Sequence, residues 1–312
     1  YNIALDLSFL GGRIGVTGEV SYSDTRDLLP NLQLPTQTGY GSRLSNIGRT
    51  TNKGVELTIN SYNIVTPKFS WSTMLTLSHN RQNVDNIGSE DRVEVYTSHT
   101  SGYMMYGYVA GYPLNALWGF KYGGTWKSQE EIDRNNVTRT YVSVGNPQKV
   151  PGGPRYLDID HNGVINQDDI VYLGNADPVL YGGFQNNFTY KRLSFSIYFN
   201  YSIGGKIYNV SEQFMGNNSP YTNQYRYMLD SWHPVRNPES DIPRGATLDN
   251  IVSDRFVHDA SFVRLKNISI GYTFDLRKLT RNTVRDITLN LSGDNIYLWK
   301  KYNGFDPEVS TS

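Results

Sequence analysis

The residues whose types and spacing could do chemistry lie in 156–174, YLDIDHNGVINQDDIVYLG. Oxygen-bearing side chains recur there as D-x-[DN]-x-[DN]-G with an acid at the twelfth place, the pattern by which a short loop wraps a hard divalent cation. Asp158, Asp160 and Asn162 fill the first, third and fifth places, and Gly163 makes the sharp turn. Val164 would give its backbone carbonyl, Asn166 stands ninth and Asp169 closes the loop. The chemistry is Ca²⁺ held by oxygen ligands. Asp169 reaches less far than the usual Glu, so modest affinity and a structural role are expected. The same residues also suit an Asx-rich turn without metal, because Asp and Asn side chains readily accept from nearby backbone N–H groups. The preceding GNPQKVPGGPRY is too rich in Pro and Gly to build an entering helix, so the loop is not half of a helix–loop–helix pair.

Other chemistries find little support. There is no cysteine, which removes zinc-knuckle, disulfide and thiol-enzyme readings. His79, His99, His161, His233 and His258 have no H-E-x-x-H spacing, and no G-x-S-x-G elbow, phosphate loop or dinucleotide glycine pattern occurs. Glu130, Glu131, Asp230 and Asp241 could serve as a glycosidase acid and base, but nothing in the sequence fixes their separation, and solvated charge is the default. Tyr103, Tyr106, Tyr108, Trp126, Tyr221, Tyr225, Tyr227 and Trp232 could stack on sugar rings or grip peptide side chains; packing among loops is the plainer role. The sequons at Asn136 and Asn200 are read as chance in an Asn- and Ser-rich chain. Lys+Arg and Asp+Glu are 29 each, so no global charge points to nucleic acid.

The elements that must carry the loop alternate with period two. Ile3, Leu5, Leu7 and Phe9 oppose Ala4, Asp6 and Ser8; Val55, Leu57 and Ile59 oppose Glu56, Thr58 and Asn60. FSWSTMLTLSH, YGGFQNNFTYK, LSFSIYFNYS, KNISIGYTF and RDITLNLSGDNIYL repeat the pattern, giving about eight strands and an expected further pair in the irregular middle. Many run about nine to eleven residues, the length that crosses a membrane at a tilt. Short connections near 10–12, 63–68, 191–192 and 276–283 alternate with long ones at 24–52, 80–178 and 204–260. That asymmetry, with Tyr22, Tyr62, Tyr190, Tyr201, Tyr272 and Trp299 near strand ends, predicts an all-β, antiparallel transmembrane barrel with short periplasmic turns and long extracellular loops. No run of 18 apolar residues exists for a membrane helix. The basic cluster Arg277, Lys278, Arg281 and Arg285 then falls in a periplasmic turn.

Five stretches carry a resemblance: NIGRTTNKGVEL (46–57), GYPLNALWGFKYGG (111–124), the calcium-like loop running into YLGNADPVLYGGFQNNFTYK (172–191), FVRLKNISIGYTF (262–274) and GDNIYLWKKYNGFDPE (293–308). Together, and in order, the chain resembles the C-terminal part of the barrel of SusC/RagA-type TonB-dependent outer-membrane transporters. The resemblance implies 1–312 as a portion of a twenty-two-stranded barrel whose plug and last strand lie elsewhere, with 80–178 and 204–260 as extracellular loop regions. It also implies a SusD-like surface lipoprotein partner, energy from the TonB complex and a cargo of oligosaccharide or peptide. The chain opens directly in a strand and stops in a loop, and is read as part of a longer polypeptide. Three alternatives stay open from sequence: a small closed barrel, a soluble or secreted calcium-stabilised all-β protein that binds glycans, and a secreted polysaccharide-degrading enzyme.

Overall fold

The computed structural model describes residues 1–26, 31–33, 42–44, 48–88, 92–95, 106–135, 137–139, 149–216, 223–245, 251–281 and 283–308. Its frame is one eight-stranded sheet in which every strand pairs with its neighbours in chain order. These wall strands are β1 (Asn2–Phe9), β2 (Ile14–Arg26), β3 (Arg49–Val65), β4 (Phe69–Asn86), β5 (Leu180–Tyr190), β6 (Leu193–Ile203), β7 (Phe262–Asp275) and β8 (Asp286–Lys300). All seven pairings are antiparallel, a simple up-and-down meander. Among the described residues β1 and β8 do not pair with each other. The sheet is therefore an open segment, which corrects the small closed barrel.

Cross-strand partners share a face, so the register sorts the side chains without reference to exposure. Leu5, Gly18, Leu57, Leu77 and Gly182 form one row; Leu7, Val16, Ile59, Leu75, Phe184 and Phe199 form the next. The same face continues through Ile197, Ile268 and Ile270 to Leu289 and Leu291, which are 68% and 71% exposed. The opposite face carries Asp6, Thr17, Glu19, Glu56, Thr58, Thr76, Gln185, Asn187, Ser196, Ser269, Asn290 and Ser292. One face is predominantly apolar, interrupted by the row Ser61, Thr73 and Asn186, where Asn186 accepts from Trp71 and Thr73, and the other is predominantly polar.

Two glycines hold the middle of the wall together. A Cβ on Gly182 would run into the Thr76 carbonyl oxygen and lie 2.8 Å from the Tyr201 hydroxyl, and one on Gly183 would lie 2.7 Å from the Tyr198 hydroxyl. Tyr201 covers the apolar side of this pair, its hydroxyl donating to the Thr76 carbonyl at 2.7 Å, and Tyr198 covers the polar side.

Four short connections, 10–13, 66–68, 191–192 and 276–285, lie at one end of the sheet, and three inserts, 27–48, 87–179 and 204–261, at the other. The buried apolar core is in the inserts rather than under the sheet. Ala116, Trp118, Phe120, Tyr156, Ile165, Ile170 and Ile251 form one cluster; Leu117, Tyr208, Val252 and Phe256 form a second. Among the described residues the expected further pair does not join the wall. Strands Arg92–Val95, Tyr106–Val109, Ala116–Gly119 and Val171–Asn175 make a separate four-stranded sheet inside the insert, because hydrophobic residues of both inserts cover it. β3 and β4 are also longer than expected, 17 and 18 residues, since both continue past the apolar belt into the insert end.

Candidate functional site

The metal-loop sequence folds as a tight surface loop. It leaves the short strand Pro154–Tyr156, turns at Gly163 with φ +84°, pairs Val164 and Ile165 in parallel with Thr138 and Arg139, and ends in a 3₁₀ turn at Gln167–Asp169. A positive φ of that size is what only glycine adopts without strain. Ile165 is buried in the insert core beside Trp118 and Phe120, so the loop is fastened from below.

The structure brings the three expected carboxylate ligands together. Carboxylate oxygens of Asp158, Asp160 and Asp169 lie within 4.8 Å of one another. Asp169 is fully buried, and its two oxygens accept the N–H groups of Ile159 at 2.6 Å and Asn166 at 2.8 Å. Asp158 Oδ2 accepts the Gly163 N–H at 2.8 Å, while its Oδ1 is buried with no hydrogen-bond partner. Partial burial opposes charge on Asp158, but the hydrogen bonds from Gly163 and its loop neighbours outweigh it and hold the carboxyl below its ordinary range. An orphaned carboxylate oxygen beside two further carboxylates fits a hard cation, which would satisfy it and offset the crowded negative charge.

The other three expected ligands take part in hydrogen bonds and pairing within the loop. Asn162 accepts the Val164 N–H on its Oδ1 at 2.7 Å and donates its amide to Asp160 Oδ2 at 2.6 Å. Asn166 caps the 3₁₀ turn, accepting the Asp168 N–H at 2.6 Å. Val164 serves the loop through its backbone, in the bridge to Thr138.

Three of the four loop acids considered as a glycosidase pair are held in structural contacts. Glu131 accepts the Lys127 N–H and pairs with Arg155, both at 2.7 Å, Glu130 pairs with Arg134, and Asp241 meets Lys127 Nζ at 2.9 Å. The loop aromatics pack. Trp126 and Trp232 are buried, Tyr108 lies against Val84 and Ile87, and Tyr225 stacks on Tyr227 at 5.7 Å. Tyr103, Tyr221, His99 and Asn136, and the side chain of Tyr106, lie outside the described residues.

Two groupings escaped sequence reasoning. Arg264, buried on the polar face of β7, binds Asp306 at 2.6 Å and Glu308 at 3.0 Å, and Asn200 donates to Glu308 at 2.8 Å, so the segment after β8 folds over the polar face. Glu212 accepts from His258 Nε2 at 2.5 Å and from Asn209 at 3.0 Å, with Tyr302 against the His258 ring. Burial works against charge on Glu212, but the His258 contact and its other hydrogen bonds lower its pKa. Neither grouping had a spacing signal, since its members are brought together only by the meander.

Long antiparallel strands, apolar on one face and polar on the other, with short turns at one end and packed inserts at the other, define the wall of an outer-membrane β-barrel. No protein-family model matches the chain. It is 34% identical to TonB-dependent receptor P26 of Formosa agariphila over 99% of its length and 31% of that protein's. It is 26% identical to TonB-dependent receptor SusC of Bacteroides thetaiotaomicron over 100% of its length and 29% of SusC. Its backbone follows a solved RagAB peptide transporter with a TM-score of 0.77, at 21% identity, covering 98% of this chain and 32% of that one, a likeness of fold. The chain spans about a third of the length of the curated relatives it matches. It is a portion of a SusC/RagA-type TonB-dependent receptor barrel, and its place is the outer membrane, which sets the soluble reading aside.

Proposed function

We propose that this chain forms part of the wall and extracellular rim of an outer-membrane importer that takes in oligosaccharides or peptides. In this reading it is a C-terminal portion of the barrel and works with a SusD-like surface lipoprotein and TonB energy coupling. The observation that carries it is the two-faced wall: polar side chains from Asp6 to Ser292 line a lumen while Leu5 to Leu291 meet lipid. The inserts 87–179 and 204–261 make one rim. The Phe120 N–H donates to the Val252 carbonyl at 2.9 Å, the Asp254 N–H to the Phe120 carbonyl at 3.2 Å, and Lys121 pairs with Asp254 at 3.0 Å. A rim packed this way presents a firm surface for cargo and for a lid protein, and no bond of the cargo is made or broken by it.

Asp158, Asp160 and Asp169 hold a structural Ca²⁺ in this reading, with Asn162, the Val164 carbonyl and Asn166 completing the shell after the amides turn. When bound, the ion supplies charge neutralisation and rigidity at the outer edge of the insert.

The test is uptake by cells lacking the full-length receptor and by the same cells complemented with it, offered labelled oligosaccharide pools and labelled peptide pools. Uptake of one pool that depends on the receptor and is abolished by collapsing the proton gradient supports the reading. Receptor-independent uptake of both pools contradicts it.

A further inference from the structure

On the lipid-facing side of the wall, directly above the apolar belt, the register sets two cations opposite each other. Lys53 on β3 is the cross-strand partner of Arg81 on β4, with Tyr22 of β2 on the other side of Lys53. This row lies on the same face as Val20, Val55, Leu57 and Leu77, two residues beyond Val20 and Val55. Like charges directly opposite in a sheet repel. Among the described residues neither Lys53 nor Arg81 has a carboxylate within salt-bridge distance; Arg81 Nε reaches the Asn83 side chain at 3.4 Å. Both side chains are exposed.

The surroundings are charge-balanced, so the excess positive charge belongs to the Lys53–Arg81 row itself. Arg81 and Lys206 line one recess of about 510 Å³ between the top of β4 and the insert, with His79 at its lower edge. Two acids share that recess: Asp177 accepts from Asn115 at 2.7 Å, and Asp259 accepts from Ser261 at 2.5 Å and faces Lys206. Two rows higher, Arg26 and Arg49 share the Asp24 carboxylate, both at 2.8 Å, and Asp85, which accepts from Thr51, lies 3.9 Å from Arg49.

The height of the row identifies what meets it. From Trp71, in the aromatic row near the short turns, to Arg81 is about ten residues, ~34 Å along the strand. At the ~40° tilt of such strands this is ~26 Å of height, the thickness of the apolar band. Lys53 and Arg81 therefore stand at the outer headgroup level, facing lipid rather than the lumen. An unpaired cation row at that level recognises phosphate, bidentately through the guanidinium and as a point charge through the ammonium.

We propose that Lys53 and Arg81, with Tyr22 beside them and Lys206 across the recess, bind the phosphate groups of an outer-leaflet lipid. The lipid phosphate lies across the two strands, offsets their mutual repulsion and fixes the height of the wall in the membrane. A free phosphate ion would present the same chemistry, but the row opens onto the apolar belt, where acyl chains already lie.

The experiment is native mass spectrometry of the full-length receptor in detergent, with diphosphorylated lipid A, its enzymatically dephosphorylated form and inorganic phosphate as probes. The variants are Lys53→Gln with Arg81→Gln, and, as a control of equal charge loss, Arg277→Gln with Lys278→Gln at the short-turn end. The wild type should carry the diphosphorylated lipid and not the dephosphorylated one. The Lys53/Arg81 variant should lose affinity by about 30-fold while the control retains it. Heat-modifiable migration on a gel, unchanged in every variant, shows that the barrel has formed. Binding unaffected by the Lys53/Arg81 change, equal loss in the control, or displacement of the lipid by millimolar inorganic phosphate would each overturn the proposal.

Discussion

The buried Asp169 carboxylate accepts the Ile159 N–H at 2.6 Å, closing the metal loop across ten residues of sequence. Its other oxygen accepts the Asn166 N–H at 2.8 Å, so one side chain ties the first and last turns of the loop. Asp169→Ala removes both acceptors and leaves two backbone donors unpaired, a cost of about 2–4 kcal/mol to the local fold. Hydrogen exchange of 156–170 in the full-length receptor should accelerate accordingly.

Calcium should slow exchange in the same segment of the wild type, and chelation should restore the faster rate. Asp158→Asn keeps the loop shape but removes a charge from the shell. Isothermal titration should then show affinity weakened from an extracellular-type value of roughly 10⁻⁴–10⁻³ M to no measurable heat. Equal calcium heats for wild type and Asp158→Asn would contradict the ligand assignment.

At the Gly182 crossing, any side chain would strike the Thr76 carbonyl and displace Tyr201. Gly182→Ala should cost about 1–3 kcal/mol of barrel stability. Gly18 sits on the same face with open space where a Cβ would go, and Gly18→Ala should change stability by about 0.5 kcal/mol or less. Urea unfolding of the two variants in lipid vesicles checks the difference.

Glu212 has its pKa lowered in the folded rim. A depressed carboxyl contributes stability above its unfolded value, near 4.5, and that contribution fades as pH falls through the lower folded value. The window is therefore entirely below pH 4.5. Exchange protection at 209–216 and 257–259 should hold from neutral pH down to that point and drop beneath it, and Glu212→Gln should abolish the step.

How much of this was legible in the sequence varies with the physics. The lower halves of β3 and β4 were, because one side of the strand meets lipid and period two follows. Their upper parts, RTTN in β3 and NRQNVDN in β4, stand above the belt where both faces are polar, so no alternation marks them as strand. The metal-loop acids were legible from spacing, but the turn of Asn162 and Asn166 toward backbone N–H groups was not, since one motif encodes both uses. The pairing of Phe120 with Val252 joins positions far apart in sequence, and the facing of Lys53 and Arg81 depends on a register that alternation alone does not fix.

The central claim is the orientation of the wall, and β8 tests it most directly. This chain has no cysteine, so single cysteines placed in turn at 287–292 of a full-length receptor otherwise free of cysteine can each carry a spin label. Collision with oxygen, which partitions into lipid, and with a water-soluble nickel chelate should alternate. Positions of Ile287, Leu289 and Leu291 should favour oxygen, and those of Thr288, Asn290 and Ser292 the chelate. Uniform access to the chelate along the strand, or the reverse alternation, would contradict a wall whose apolar face meets the membrane.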